Sequence, residues 1–300
     1  MRSSRKAEAI MDAIFRARRL LMAAKSGWKQ RAIIYVSRNS FIRRAYTELK
    51  NVPLFGPALQ QLVKAMVPSG TRVWLQIPAG LGEGLWMHLD PRFEMDYAAG
   101  AYEPMIVEAM VSGLGPGSVF YDVGAHIGVF SLLAARIAGE TGAVFAFEAD
   151  PDNAERIKEH ARRNGLDQIQ VVPYAVWNSP GKLAFQRAPV NSSRNQGAVA
   201  SGLQIQNENI TQVEAITLDI FSREHLAPAL IKIDIEGGET AALQGSENLF
   251  TLHRPILICE VHNQVAEEFV TEWLRSKHYS LTPLGESCVF PRHLLAKANN

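Results

Sequence analysis

From Val119 onward, short runs rich in β-branched and aromatic residues alternate with amphipathic helical stretches, and no other feature narrows the fold as far. The strand-like runs are Val119 to Val123, Ala143 to Glu148, Ile169 to Val176, Leu230 to Ile235 and Pro255 to Val261. Helices fit near Val129 to Ile137, Asn153 to Asn164, Thr240 to Phe250 and Val265 to Ser276. Parallel strands need a long crossover, normally a helix, so this order predicts an α/β fold: a mostly parallel sheet with helices on both faces. The tail, Ser280 to Pro283 and Ser287 to Pro291, reads as a closing hairpin that brings the sheet to seven strands. Upstream, Pro104 to Leu114 carries helix boundary signals, proline at its start and Gly115-Pro116-Gly117 at its end. Val73 to Ile77 and Leu85 to Leu89 flank a glycine-rich turn as the arms of a hairpin.

Apolar residues make up 47% of the 300 and charged residues 20%, which excludes collagen-like, disordered and disulfide-scaffold chains. Cys259 and Cys288 lie in apolar surroundings without a CxxC, so neither a disulfide framework nor a thiolate zinc site is expected. Without a long apolar span or a signal-peptide pattern, the expected location is cytoplasmic.

The formal net charge of +1 conceals an asymmetry: residues 1–50 hold thirteen Lys and Arg against three Asp and Glu, and the remainder eighteen against twenty-seven. Residues 1–66 read as a basic, mainly helical N-terminal extension, with a second helix near Pro57 to Val67 and with Ile10, Met11, Ile14, Phe15, Leu21 and Met22 near helical spacing. Such a segment docks on its own chain, or makes a peripheral contact with an anionic membrane or a partner. Nucleic acid is not expected, because no aromatic platform accompanies the charge.

The segment that carries chemistry is Val119-Phe120-Tyr121-Asp122-Val123-Gly124-Ala125-His126-Ile127-Gly128, a strand followed by a glycine turn that opens a helix. Glycines let a ligand approach the backbone, and a helix start offers free amides. Twenty residues on, the next strand ends in Glu148, where a ribose diol needs an acceptor. This is a nucleoside-binding constellation, for which two ligands compete. A dinucleotide wants G-x-G-x-x-G for its pyrophosphate, whereas here Gly124 and Gly128 are separated by three residues and Asp122 faces the turn. A carboxylate repels a pyrophosphate and welcomes an ammonium and a sulfonium, which favours S-adenosyl-L-methionine over NAD.

The ordered motifs resemble the FkbM family of S-adenosylmethionine-dependent methyltransferases. Gly100-Ala101-Tyr102-Glu103-Pro104 is similar to the family's entry motif, Asp122 to Gly128 to its glycine loop, and Phe147 to Asn153 to its ribose strand. Leu218-Asp219, then Lys232-Ile233-Asp234-Ile235-Glu236-Gly237-Gly238-Glu239, and finally Glu260-Val261-His262, complete the likeness over about Val73 to Pro291. The resemblance implies a Rossmann-like class I methyltransferase fold for 67–300, with a hairpin at 73–89 and a core at 100–292. It implies S-adenosyl-L-methionine as cofactor, held by Glu103, Asp122, Gly124, Ala125, His126, Gly128, Glu148 and Ala175. It also implies methyl transfer to a hydroxyl of a sugar, polyketide or other small-molecule or glycan acceptor. His126 stands where relatives usually carry asparagine, and Ala149 replaces a common proline.

Alternation along Leu230 to Glu236 places Lys232, Asp234 and Glu236 on one strand face, and Glu260 and His262 share a face at the end of the next strand. Ligands gather at the carboxyl ends of strands, so these groups are expected to converge near the reacting methyl. An alcohol barely ionises at neutral pH, which nominates His262 as catalytic base, with Glu236 or Asp234 as substitute and hydroxyl anchor. Oxygen ligands suit magnesium or calcium, yet one histidine with three acids does not name a metal, and none is assigned. Two competing readings are an NAD-type oxidoreductase, which wants the missing middle glycine, and a non-catalytic membrane-associated nucleotide-binding protein, which needs no carboxylate cluster. The polar stretch Arg187 to Thr211 is the expected acceptor loop.

Overall fold

The computed structural model describes residues 67, 70–100, 102–187, 197–199, 210–285 and 289–299. The basic helices expected within 1–66, most of the polar loop and Cys288 lie outside the described residues. Two compact units meet in sequence between Tyr102 and Glu103.

In the first unit the glycine turn closes the expected antiparallel hairpin of β1 (Val73–Gln76) and β2 (Trp86–Leu89). Trp74 faces His88 across the ladder, and their rings stack at 4.9 Å.

The second unit opens with α1 (Pro104–Gly113), β3 (Val119–Val123), α2 (Val129–Ala138), β4 (Ala143–Phe147), α3 (Pro151–Asn164) and β5 (Ile169–Val172). A small-sheet segment follows: β6 (Ala175–Val176), β7 (Gly181–Gln186), β8 (Ala198–Val199) and β9 (Ile210–Ile216). The chain then returns through α4 (Leu218–Glu224), β10 (Leu230–Ile233), α5 (Glu239–Gln244), α6 (Glu247–His253), β11 (Ile256–Val261), α7 (Gln264–Ser276), β12 (Tyr279–Leu284) and β13 (Arg292–Ala298). The main sheet has seven strands in the order β12-β13-β11-β10-β3-β4-β5. Five neighbouring strands, from β11 to the edge strand β5, are parallel, and β13 runs antiparallel to both of its neighbours, the Rossmann-like arrangement expected. Strand order reverses at β3, which places the crevice for a ligand at its carboxyl end. Edge-to-face contacts among Tyr121, Phe145, Phe147 and Phe221 fill the core beneath the sheet. No helix among the described residues is long and apolar enough to cross a membrane.

Four local expectations change. Ile169 to Val176 is not one strand: Pro173 has no amide to donate to a ladder, so β5 stays in the main sheet and β6 joins the small one. Thr240 to Phe250 is two helices, broken at Gly245, whose missing Cβ would lie 2.3 Å from the Trp177 carbonyl oxygen. The last strand begins at Arg292 rather than within Ser287 to Pro291, because this register buries Leu294 and Ala296 against β11. Strand β10 ends at Ile233, so Asp234 and Glu236 belong to the following turn and not to a strand face.

Candidate functional site

The glycine turn after β3 is shaped by close approach. Gly124 adopts φ +80°, and a Cβ there would fall 1.8 Å from the carbonyl oxygen of Asp234, so no side chain fits. Asp122 is fully buried, accepts a 2.6 Å hydrogen bond from the Ser131 hydroxyl, and stands in register with Lys232 on β10. Glu148 follows β4. Its Oε2 accepts from the His126 amide at 2.7 Å and its Oε1 from the Asp150 amide at 2.8 Å, which leaves further lone pairs on both oxygens. Burial raises its pKa to about 8, against the pull of those two amides. Asp150 caps α3 through the Asp152 and Asn153 amides and takes a bidentate ion pair from Arg187 at 2.7 and 3.0 Å.

A cleft opens over the carboxyl edge of β3 and β4, lined by Gly124, His126, Glu148, Asn153, Tyr174, Ala175, Trp177, Phe185, Val199, Asp234 and Glu236 among others. Of the residues expected at the cofactor, Gly124, His126, Glu148 and Ala175 line it, whereas Asp122, Ala125 and Gly128 are not among its lining residues. Ala125 donates its amide to the Phe147 carbonyl, and Gly128 begins α2 with its Cα pressed toward Ile157. Glu103 sits apart from the cleft lining at the start of α1, 3.8 Å from His293 Nε2.

A dense ionic cluster borders the cleft. Lys232 is buried, reaches Asp234 at 3.0 Å and lies 5.1 Å from the Phe130 ring. Burial alone would raise the Asp234 pKa, but the charge of Lys232 holds it well below the carboxylate range. His262 Nε2 lies 3.3 Å from Glu236 and 3.8 Å from Glu260, and its Nδ1 lies 3.1 Å from Glu239. Burial would lower the pKa of this ring, yet bonds to Glu236 and Glu239 outweigh it and push the value up to about 10. Glu260 is pushed up to about 9 by burial and by Asp234, and it meets His293, its cross-strand partner, at 3.4 Å. Asp234, Glu236 and His262 each present a ligand atom within 4.8 Å of the others, a spacing a divalent cation accepts.

Among the described residues, five other than glycine have left-handed backbone: Glu103, His126, Glu236, Arg254 and His278. Arg254 and His278 follow helix ends, where this is common. The other three are all sequence-nominated site residues, in a conformation that persists only where the surroundings enforce it.

Residues 122–281, more than half of the chain, match the Methyltransferase FkbM domain. The chain belongs to the FkbM methyltransferase family. It is 25% identical over 194 residues to the hexuronic acid methyltransferase AglP of Haloferax volcanii, covering 64% of this chain and 72% of that protein. Among solved structures it resembles the FkbM methyltransferase of Methylobacillus flagellatus at 17% identity and TM-score 0.45, over 70% of this chain and 55% of that one. It thus spans just over half the length of that solved protein. A precorrin-6y C5,15-methyltransferase of Geobacter metallireducens aligns at 11% identity and TM-score 0.44, over 67% of this chain and 89% of that one.

The FkbM motifs and the cleft do not coincide fully. Trp177, Tyr174 and Phe185 line the cleft although the sequence nominated none of them, since they arrive through the small sheet. The signal for that sheet was Pro173. His293 was also missed, because only the pairing of β13 with β11 brings it to Glu260.

Proposed function

We propose that this FkbM protein transfers a methyl group from S-adenosyl-L-methionine to a hydroxyl of a sugar or other small-molecule or glycan acceptor. One observation carries the reading: a single cleft joins the glycine turn and Glu148 at one side to Asp234 and Glu236 at the other. The chemistry of the cleft fits that cofactor. Glu148 retains lone pairs for two ribose hydroxyls, and the carboxylates of Asp234 and Glu236 in the cleft lining suit a cationic ligand. When bound, the cofactor supplies an electrophilic methyl on a sulfonium whose thioether is already a good leaving group.

The chain's own task is then alignment and proton removal. Asp234 and Glu236 face the cleft and accept hydrogen bonds from acceptor hydroxyls. Glu236 and His262, 3.3 Å apart, form the proton-accepting pair. His262 reaches the cleft through Glu236, and it must shed its own proton before the pair can take another. The aromatic rings of Tyr174 and Trp177 offer apolar faces of the kind on which a sugar ring packs. Similarity to a hexuronic acid methyltransferase supports a saccharide acceptor.

Calorimetry with S-adenosylhomocysteine and with NAD, followed by labelled-methyl transfer to methyl hexosides, tests the reading. Binding of the adenosyl ligand alone and label in the hexoside are the expected results. Binding of NAD alone, or adenosyl binding without transfer to any hydroxylated acceptor, would overturn it.

A further inference from the structure

The cleft-side residue Glu236 and the ring of His262 come from different elements, and one buried carboxylate ties them together. Glu239 begins α5 and is fully buried. Its Oε1 accepts the Gly237 amide at 3.0 Å and lies 3.1 Å from His262 Nδ1. Gly237 and Glu236 are consecutive left-handed residues, with φ of +101° and +54°. Such a turn reverts unless something fixes it. The Gly237 amide precedes α5 and needs only a neutral acceptor, so holding the turn does not by itself call for a carboxylate buried against an imidazole.

We infer that Glu239 is a positioning residue: by holding the Gly237 amide and His262 Nδ1 on one oxygen, it turns Nε2 of that ring toward Glu236. Glu239 is absent from the cleft lining and acts through the groups around its Oε1, which also receives the Ile235 amide at 3.4 Å. The arrangement resembles the use of a carboxylate to select which imidazole nitrogen faces the chemistry. The inference rests on the reading of Glu236 and His262 as the proton-accepting pair.

The test compares the full chain with its Glu239→Met variant, which keeps the length of the side chain and removes the oxygen that the Gly237 amide and Nδ1 share. Nitrogen-15 NMR of histidine-labelled protein reads the ring. In the unaltered protein His262 Nδ1 should carry a slowly exchanging hydrogen, and the variant should lose it. With labelled S-adenosylmethionine and methyl hexosides, kcat should fall by about 10²-fold, the lower end of what a general base contributes. Acceptor KM and S-adenosylhomocysteine affinity should stay within about twofold. Unchanged kcat would overturn the inference, and so would a parallel loss of kcat, affinity and melting temperature, which marks a merely structural carboxylate. Should the variant fail to fold, the unaltered protein still decides, because an Nδ1 without a protected hydrogen overturns the inference. A protected hydrogen in a protein that transfers no methyl would instead overturn the proposed function and leave the placement of the ring standing.

Discussion

Glu148 Oε2 accepts a 2.7 Å hydrogen bond from the backbone amide of His126, joining the turn after β3 to the end of β4. The same carboxylate is thereby aimed at the cleft, with its ionised form disfavoured by burial. Its pKa of about 8 lies above the ordinary value, so ionisation opposes folding progressively as pH rises toward 8. Ribose hydroxyls donate to the ionised form. Affinity for S-adenosylhomocysteine should therefore rise with pH up to about 8 and then level off. Calorimetry should find Glu148→Ala weaker by about 2 to 4 kcal/mol through loss of charge-assisted bonds, and Glu148→Gln without the pH dependence. Unchanged affinity in both would remove Glu148 from the cofactor site.

His262 predicts the pH profile of transfer. The ring's pKa is raised to about 10, so the competent, deprotonated pair is scarce at neutral pH and turnover should climb toward pH 10. His262→Ala should lower turnover by about 10² to 10⁴ and leave cofactor affinity nearly unchanged. The raised value also stabilises the fold at pH below the ordinary histidine range, a contribution lost as pH climbs through about 10. Urea titrations of both proteins at neutral pH and near pH 10 should show their stability gap closing. An unaltered rate would pass the role to Glu236 or Asp234.

Lys232 is a buried cation held against Asp234 at 3.0 Å and in register with Asp122. Lys232→Met keeps the volume and strands two carboxylates. Chemical denaturation should register a loss of about 3 to 5 kcal/mol, the usual effect of breaking a buried pair. A loss below about 1 kcal/mol would mean that the carboxylates take up protons instead.

Arg187 pairs with Asp150, whose side chain is 2% exposed. Asp150 in turn donates its amide to Glu148. Arg187→Ala should lower stability by about 1 to 3 kcal/mol and weaken adenosyl-ligand binding by less than Glu148→Ala does. Melting curves with and without S-adenosylhomocysteine separate the two effects, and identical curves for variant and parent would reduce the pair to a surface contact.

Much of the site was legible because its logic is local. Gly124 must be glycine for a turn that crosses the Asp234 carbonyl, and Glu148 ends a strand one βα unit later, so both show in spacing alone. The lysine-acid-acid-glycine run likewise pointed to the correct edge of the sheet. Its explanation from strand alternation fails, since β10 stops at Ile233 and a left-handed turn carries Glu236. Propensity does not register such a turn, because the constraint that holds it is Glu239 and a histidine that follows β11.

The sequence by itself determined the alternation of strands and helices in the main sheet, its parallel character and the glycine turn, because hydrophobic period and backbone sterics act over a few residues. Tertiary structure alone decided which charges meet. His262 draws its raised pKa from Glu236 and Glu239, and Glu260 finds His293 across a ladder formed by the last strand. Electrostatic energies depend on distance and burial, and neither exists until remote segments pack.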